Sequence, residues 1–362
     1  MSTSFLKDIR EQNLFSQKQV YDGLCSPATF SRIENMEKHP EFILLDALAG
    51  RLGLDSADLN PYLGETEYRL LESRLAILAD LTAERYEDAK AKLTDYEKGM
   101  PKSHLNRQFF LYQMSRVKWH ELESLFMCED SIPAIGHFHQ TSTSDKSISG
   151  GSSSDKTPPC VFEFSEIFPC QNSASRAVMP TLNCEAEELL IEAWYQTKKT
   201  HEILENELYT PAEIYILLNL IHIGSRYWNM DRILFQLNTL YRKIEKLFSG
   251  DLLNELKSAC MWELLCQGRY SWDIHTLLIK TDNALQSLTS QQSFRHATRL
   301  HLFLVQVLAR FLERPGDHAV ERERLIRECR MLYFSFECLG QIWKRGQIAA
   351  YCLEKTGEDI RE

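Results

Sequence analysis

Residues 14–54 read LFSQKQVYDGLCSPATFSRIENMEKHPEFILLDALAGRLGL, and their punctuation spells short helices. Ser16 stands three residues before Gln19, the spacing of a capping box, so a helix is predicted over residues 16–21. Gly23-Leu24-Cys25 supplies a tight turn. Ser26 then offers an N-cap, and Pro27 fills the favoured first position of a second helix running to Asn35. A third helix is predicted from Phe42 to Leu52, burying Leu45, Leu48 and Leu52, with Gly53 as its stop. Val20, Phe30, Ile33, Leu45 and Leu48 are the expected core. Two short helices joined by a glycine turn are what presents a helix end to the DNA major groove.

Composition argues the other way. The chain has 362 residues, 44% hydrophobic and 25% charged, with Lys+Arg 41 against Asp+Glu 51 and a net charge of −10. That is enough apolar residue for a sizeable core and excludes collagen-like, coiled-coil-only and wholly disordered classes. No bulk attraction to nucleic acid or to an anionic membrane follows from such a balance. Residues 1–62 carry six Lys/Arg against nine Asp/Glu, so no basic domain hides under an acidic tail.

Lys7, Asp8, Arg10 and Glu11 stand where a signal peptide would be apolar. The most apolar helical run, Ile214 to Ile223, is interrupted by Asn219 and His222 and is far shorter than the roughly twenty residues of a membrane span. A soluble, cytoplasmic protein without a membrane partner is expected. Of the ten cysteines, no pair has the spacing of a zinc site, and most lie in apolar helical patterns where Cys packs as a small hydrophobe. Cys160, Cys170 and Cys184, with His137 and His139 upstream, leave a metal or redox site open. No cofactor is expected.

Residues 141–159, TSTSDKSISGGSSSDKTPP, cannot bury enough apolar surface to offset their ordering entropy. Residues 128–183 are therefore read as a flexible Ser/Thr/Gly/Pro-rich insertion, in which Val161 to Phe168 could form a short strand or an apolar clip. On either side the pattern is helical. Helices are predicted over Tyr68–Leu81, Arg85–Tyr96 and Leu105–Phe126, then from Cys184 onward. Thr210 with Glu213 makes a second capping box, and Pro211 again holds the first helical position. Ile214, Leu217, Leu218 and Ile221 form one apolar face, and Ile216, Leu220 and Ile223 another, so this helix lies between neighbours. Ile233–Phe248, Leu252–Gly268, Ile274–Leu288, Thr298–Leu312, Val320–Phe336 and Ile342–Lys355 complete the series. Helices of this length in alternation suggest a helical-hairpin solenoid. Fragments such as Glu84-Arg85-Tyr86 and Gln267-Gly268-Arg269-Tyr270, each a turn before a tyrosine, resemble divergent tetratricopeptide (TPR) repeats. The fold class expected is all-α.

S-Q-x-x-V at 16–20, G-L-C-S-P-A-T-F-S-R-I-E-N at 23–35 and L-x-x-L-x-x-R-L-G-L at 45–54 closely resemble the Xre/Cro-type helix-turn-helix domain. They are similar in particular to the RNPP/Rgg class of peptide-responsive regulators, in which a TPR-like solenoid follows directly. The resemblance implies four regions: a DNA-binding domain over 1–62, first TPR-like helices over 63–127, the insertion over 128–183, and a peptide-binding and dimerisation solenoid over 184–362. It makes Ser26 the cap of the recognition helix and puts Pro27, Ala28 and Thr29 at its groove-facing end. Thr29 can bond a base or phosphate, and Ala28 can touch a thymine methyl. Arg32, one turn on, is the candidate for a bidentate contact to guanine. Gln17 and Lys18 would meet phosphate, helped by the helix dipole, and Lys38 and His39 could touch the backbone. Glu34 is read as a structural hydrogen-bond partner. A surface ion pair for Arg32, and plain solvated charges for Lys18 and Lys38, are the competing readings. Met36 stands where many relatives have Gly.

Peptide backbones need amide side chains to satisfy their N–H and C=O groups. Asn219, embedded in an apolar helix, is the first candidate, with His222, Arg226 and Tyr227 beyond it. Gln267, Tyr270, Tyr112, Gln113 and Arg116 are candidates from adjacent helices. A satisfied core amide is the competing reading for Asn219. No phosphate loop, dinucleotide fingerprint, HExxH or GxSxG occurs, so no catalysis is expected. The sequence thus points to a transcription regulator of quorum-sensing type. Its implied partners are double-stranded promoter DNA, a short signalling peptide and a second copy in a homodimer. A protein-interaction scaffold with a vestigial helix-turn-helix is the alternative.

Overall fold

The computed structural model describes residues 4–54, 63–129, 179–200, 203, 206–224, 229–268, 272–286, 294–338 and 340–361. Among them every regular element is an α-helix. The first unit holds α1 (Ser4–Gln12), α2 (Gln17–Tyr21), α3 (Pro27–Glu34) and α4 (Phe42–Arg51). The array that follows comprises α5 (Glu65–Thr82), α6 (Tyr86–Gly99), α7 (His104–Glu129), α8 (Met179–Tyr195), α9 (Pro211–Gly224), α10 (Met230–Leu247), α11 (Gly250–Gly268), α12 (Ile274–Gln286), α13 (Phe294–Leu312), α14 (Ala319–Cys338) and α15 (Ile342–Thr356).

Local chemistry accounts for the starts and stops. Both capping boxes form. Ser16 accepts from the Gln19 N–H while Gln19 Oε1 accepts from the Ser16 N–H at 2.8 Å. Thr210 Oγ1 accepts from the Glu213 N–H at 3.0 Å, and Glu213 Oε2 accepts from the Thr210 N–H at 2.7 Å. Gly23 and Gly53 both have φ of +77°, which a side chain would strain. A Cβ at Gly23 would stand 1.9 Å from the Thr197 carbonyl oxygen, and one at Gly53 2.0 Å from that of Leu247. The turns of the first unit are thus pressed against the repeats, and no side chain fits between them.

Successive helices of the array pack on one another except α9 and α10, which both pack on α11 instead, and α11 also packs on α13, in keeping with stacked helical hairpins. The core is correspondingly segmented. One cluster runs from Ile77 on α5 to Leu264 on α11, a second joins α11, α12 and α13, and a third joins α13, α14 and α15. Trp272 lies against both of the first two, and Leu278 and Leu285 against both of the last two, so each core hands over to the next. The first unit has its own core of Leu6, Val20, Leu24, Phe30, Ile33, Leu48, Ala49 and Leu52, and Leu105 of α7 completes it. Leu45, expected in the core, is half-buried beside this cluster. In α9, Ile214, Ile216, Leu217, Leu218, Leu220 and Ile221 are all buried, as a helix apolar on every face requires.

Some boundaries move. The array helices α7 and α8 extend to Glu129 and back to Met179, several residues into the stretch expected to be an insertion, and they pack on each other extensively. Residues 130–178, with His137, His139, Cys160, Cys170 and the Val161–Phe168 segment, lie outside the described residues. So do the side chains of Cys128 and Cys184. Cys260, Cys266, Cys329 and Cys352 are buried as small hydrophobes, whereas Cys338 is exposed on α14.

Candidate nucleic-acid interface and repeat groove

The N-terminal end of α3 is open to solvent. Ser26, Pro27 and Ala28 are exposed, and Ser26 Oγ caps the helix by accepting from the Thr29 N–H at 3.1 Å. Ser26 Oγ also donates to Thr29 Oγ1 at 3.0 Å, so the half-buried Thr29 hydroxyl is already engaged as an acceptor. Arg32 projects one turn beyond Ala28, is exposed, and makes no ion pair among the described residues. Lys18 and Lys38 share both properties.

The buried Glu34 carboxylate organises the inside of this unit. Arg10 Nε donates to Glu34 Oε1 at 2.6 Å, and Gln17 Nε2 donates to Glu34 Oε2 at 2.5 Å. Glu34 in turn raises the Arg10 pKa through its hydrogen bond, against the opposing effect of burial. Gln17, expected at a phosphate, thus commits one amide N–H to Glu34, and its second amide N–H and its backbone N–H are what it has left for DNA. The dipole invoked for it is small, because α2 has only five residues. Of the six basic residues in this unit, Arg10 and Arg51 are buried in ion pairs, leaving Lys7, Lys18, Arg32 and Lys38 exposed.

The second cluster lies where the alternate helices α7, α9, α11 and α13 meet. Asn219 Nδ2 on α9 donates to Tyr112 Oη on α7 at 3.2 Å and to the Tyr215 carbonyl at 2.7 Å. Tyr215 Oη donates to Glu255 Oε1 on α11 at 2.5 Å. Burial pushes the Tyr112 phenol up and Tyr215 well above the ordinary tyrosine value, the latter helped by Glu255. Both phenols thus stay protonated donors. Arg299 on α13 acts electrostatically on the two tyrosines.

Two turns of helix away, His222 Nδ1 lies 3.0 Å from Glu263 Oε2, and Gln267 Nε2 donates to Glu263 Oε1 at 2.5 Å. Trp119 of α7 sets its ring edge to His222 at 6.5 Å between centroids. Gln267 is buried, yet its Oε1 has no hydrogen-bond partner among the described residues. Buried acceptors are seldom left so. Arg116 Nη1 donates to Gln113 Oε1 at 2.9 Å on α7.

The structure therefore brings Tyr112 together with Asn219, and His222 with Gln267 through Glu263. Arg226, Tyr227 and Tyr270 lie outside the described residues. Tyr215, Glu255, Glu263, Arg299 and Trp119 were not foreseen from sequence. Two of these carried a signal, since Tyr215 and Glu263 each precede an expected residue by four positions and so share its helix face. No group of His, Cys, Asp and Glu that could hold a metal ion occurs among the described residues. Nor is any described helix long and apolar enough to cross a membrane.

No family model matches the chain, and no curated protein matches it. Among solved structures it is similar to PlcR of Bacillus thuringiensis, in a complex with the peptide PapR7 and DNA. The identity is 13%, the match covers 98% of this chain and 99% of that chain, and the TM-score is 0.48.

Proposed function

We propose that this chain is a DNA-binding transcription regulator that reads an operator through α3 as a homodimer. Its helical repeats take up a short signalling peptide between α7, α9 and α11. The observation that carries the reading is the exposed, Ser26-capped end of α3, with Arg32 one turn behind it and no carboxylate engaging its guanidinium among the described residues. Such an end fits the major groove, and a bidentate Arg–guanine contact supplies discrimination. Four exposed cations on an acidic unit give one protomer little grip, so two recognition helices spaced one helical turn apart are needed. The peptide part rests on the row of amide, phenol and carboxylate groups from Tyr112 to Gln267. The Gln267 Oε1, buried and unpaired among the described residues, has an acceptor to offer a backbone N–H once the groove parts around a peptide.

Selection of duplexes from a random-sequence pool by the full chain, at low salt, tests the DNA part. Enrichment of a sequence with two half-sites is expected. Arg32→Ala should weaken binding to it by about 1–3 kcal/mol and relax preference at one base position. Recovery of no duplex even at low salt would overturn the reading and leave an interaction scaffold. A random pool of short peptides, scored by thermal shift, tests the groove. Hits should vanish in Asn219→Ala and persist in Arg32→Ala.

A further inference from the structure

Arg51, the last residue of α4, stands in the sequence as the arginine of the L-x-x-L-x-x-R-L-G-L stretch, with no partner indicated. In the fold it is completely buried. Its Nη1 donates to the Val20 carbonyl at 3.1 Å and the Asp22 carbonyl at 2.6 Å, holding the chain just before the turn into α3. Its Nη2 donates to Glu213 Oε1 at 2.8 Å, on the first turn of α9. Glu213 is also fully buried, and its other oxygen caps α9 and lies 3.8 Å from Lys198 Nζ. Lys198 donates to the Leu208 carbonyl at 2.8 Å and sits 4.2 Å from the Tyr209 ring centre. Polar contact continues along the seam, where Gln19 Nε2 donates to the Asn206 carbonyl at 3.0 Å. The first unit is thus docked through a desolvated charge cluster, an arrangement sensitive to small displacements because any unpaired member is costly.

Two helices support this seam, and the same two carry the candidate groove. On α9, Glu213 lies about 9 Å along the axis from Asn219, at 1.5 Å per residue. On α7, Gln108 Nε2 donates to Thr197 Oγ1 at 2.9 Å and to the Ala193 carbonyl at 3.1 Å, one turn before Tyr112. Thr197 is the residue whose carbonyl presses on Gly23, the turn leading into α3. The Tyr112–Asn219 hydrogen bond therefore joins two rigid rods whose other ends hold the recognition-helix turn from two sides.

We infer that the Arg51–Glu213 pair, with Gln108–Thr197 as its second arm, is the relay that couples the state of the α7–α9 groove to the position of α3. Arg51 and Glu213 act as positioning residues, and the inference rests on the proposed reading of groove and helix. A ligand that draws Tyr112 and Asn219 together, or parts them, favours one placement of the two supports. By linkage the occupant of α3 then alters groove affinity equally.

The test is a coupling measurement on the full chain by hydrogen exchange. Asn219→Ala removes the α7–α9 bond and is placed in the wild type and in the Arg51→Gln/Glu213→Gln background, where two amides replace the two charges. In the wild type, exchange at the Leu24 and Cys25 amides should change about fivefold or more, while in the neutral background, where only the Gln108–Thr197 arm remains, the change should be about twofold or less. Protection at Phe30 and Ile33 reports that the first unit stays folded. An equal response in both backgrounds, or none in either, overturns the proposal. Should the double variant lose protection in α3, Gln108→Leu replaces it, cutting the second arm without stranding a charge. An undiminished response there overturns the proposal too. Duplexes recovered from the random pool give a second readout, with affinity changing more on Asn219→Ala in the wild-type background than in the neutral one. Recovery of no duplex would sink the DNA reading alone, because the exchange measurement needs no DNA.

Discussion

Lys344, in the first turn of α15, donates to the Glu84 carboxylate at the turn between α5 and α6, 260 residues earlier in the chain. The last repeat therefore meets the first. Helix packing between these ends is slight, so the contact is mainly electrostatic. Tyr86 and His120 stack beside it, with ring centres 3.6 Å apart. Burial, with Lys344 adding to it, keeps the His120 pKa below the ordinary histidine value.

A part-exposed pair of this kind contributes about 0–1 kcal/mol and is screened by salt. It can set the pitch of the array without setting its stability. Lys344→Glu should raise the radius of gyration in small-angle scattering, as should high salt on the wild type. Adding Glu84→Lys to Lys344→Glu should restore the wild-type value. Unfolding free energies of both variants should stay within about 1 kcal/mol of wild type.

Met36 has φ of +61° and is half-exposed, directly after α3 and its C-cap Asn35. A left-handed conformation costs an L side chain roughly 1–2 kcal/mol, which glycine escapes. Met36→Gly should therefore raise stability by about 1 kcal/mol in urea unfolding, after allowing for glycine's freedom in the unfolded chain. An unchanged or lowered midpoint would mean that the contacts of the Met36 side chain outweigh the strain.

Glu34, with 2% of its side chain exposed, pairs with the buried Arg10 and accepts from the exposed Gln17. Glu34→Gln leaves the buried Arg10 guanidinium with only the exposed Glu11 carboxylate, 3.2 Å away, as a counter-charge, so a loss of about 2–3 kcal/mol is expected. Arg10→Met/Glu34→Met should lose less than Glu34→Gln, since no charge is stranded. A double-mutant cycle by urea denaturation separates the pair's coupling from simple loss of packing.

These examples show which parts of the fold could be read in advance. Ser16–Gln19 and Thr210–Glu213 were legible because a capping box closes within one turn and needs no tertiary partner. Asn219 was legible as an amide in an apolar helix, and Tyr215 lay four positions before it. Arg51–Glu213 was not legible, since 162 residues separate the partners and helical periodicity says which faces are buried, not which charges meet. The Gln17–Glu34 bond was hidden for the same reason. The place of Gln17 at a helix start suggested a phosphate contact, while the packing of α1, α2 and α3 put a buried carboxylate within its reach.

The docking seam should carry its own pH signature. Burial alone would raise the Glu213 pKa, but Arg51 and Lys198 outweigh it and hold the carboxyl below its ordinary value of 4.5. A group depressed in the fold stabilises fully above its unfolded pKa, and that contribution is lost as pH falls through the folded value. The excess stability of wild type over Glu213→Gln should therefore be constant near neutrality and shrink below pH 4.5. Asp80, held low by hydrogen bonds from Lys92 and Arg85, adds an acid limb of the same sign within the repeats. It is common to both proteins and cancels in the difference. Lys198 works in the opposite range. Burial lowers its pKa from 10.5, with Arg51 adding to the shift, so the unfolded chain binds more protons and stability rises with pH up to about that value. Lys198→Met should lack this alkaline rise. Urea midpoints measured from acid to alkaline pH on the three proteins check both limbs. Parallel curves for wild type and Glu213→Gln below pH 4.5 would show that the seam does not hold the carboxyl below its unfolded value.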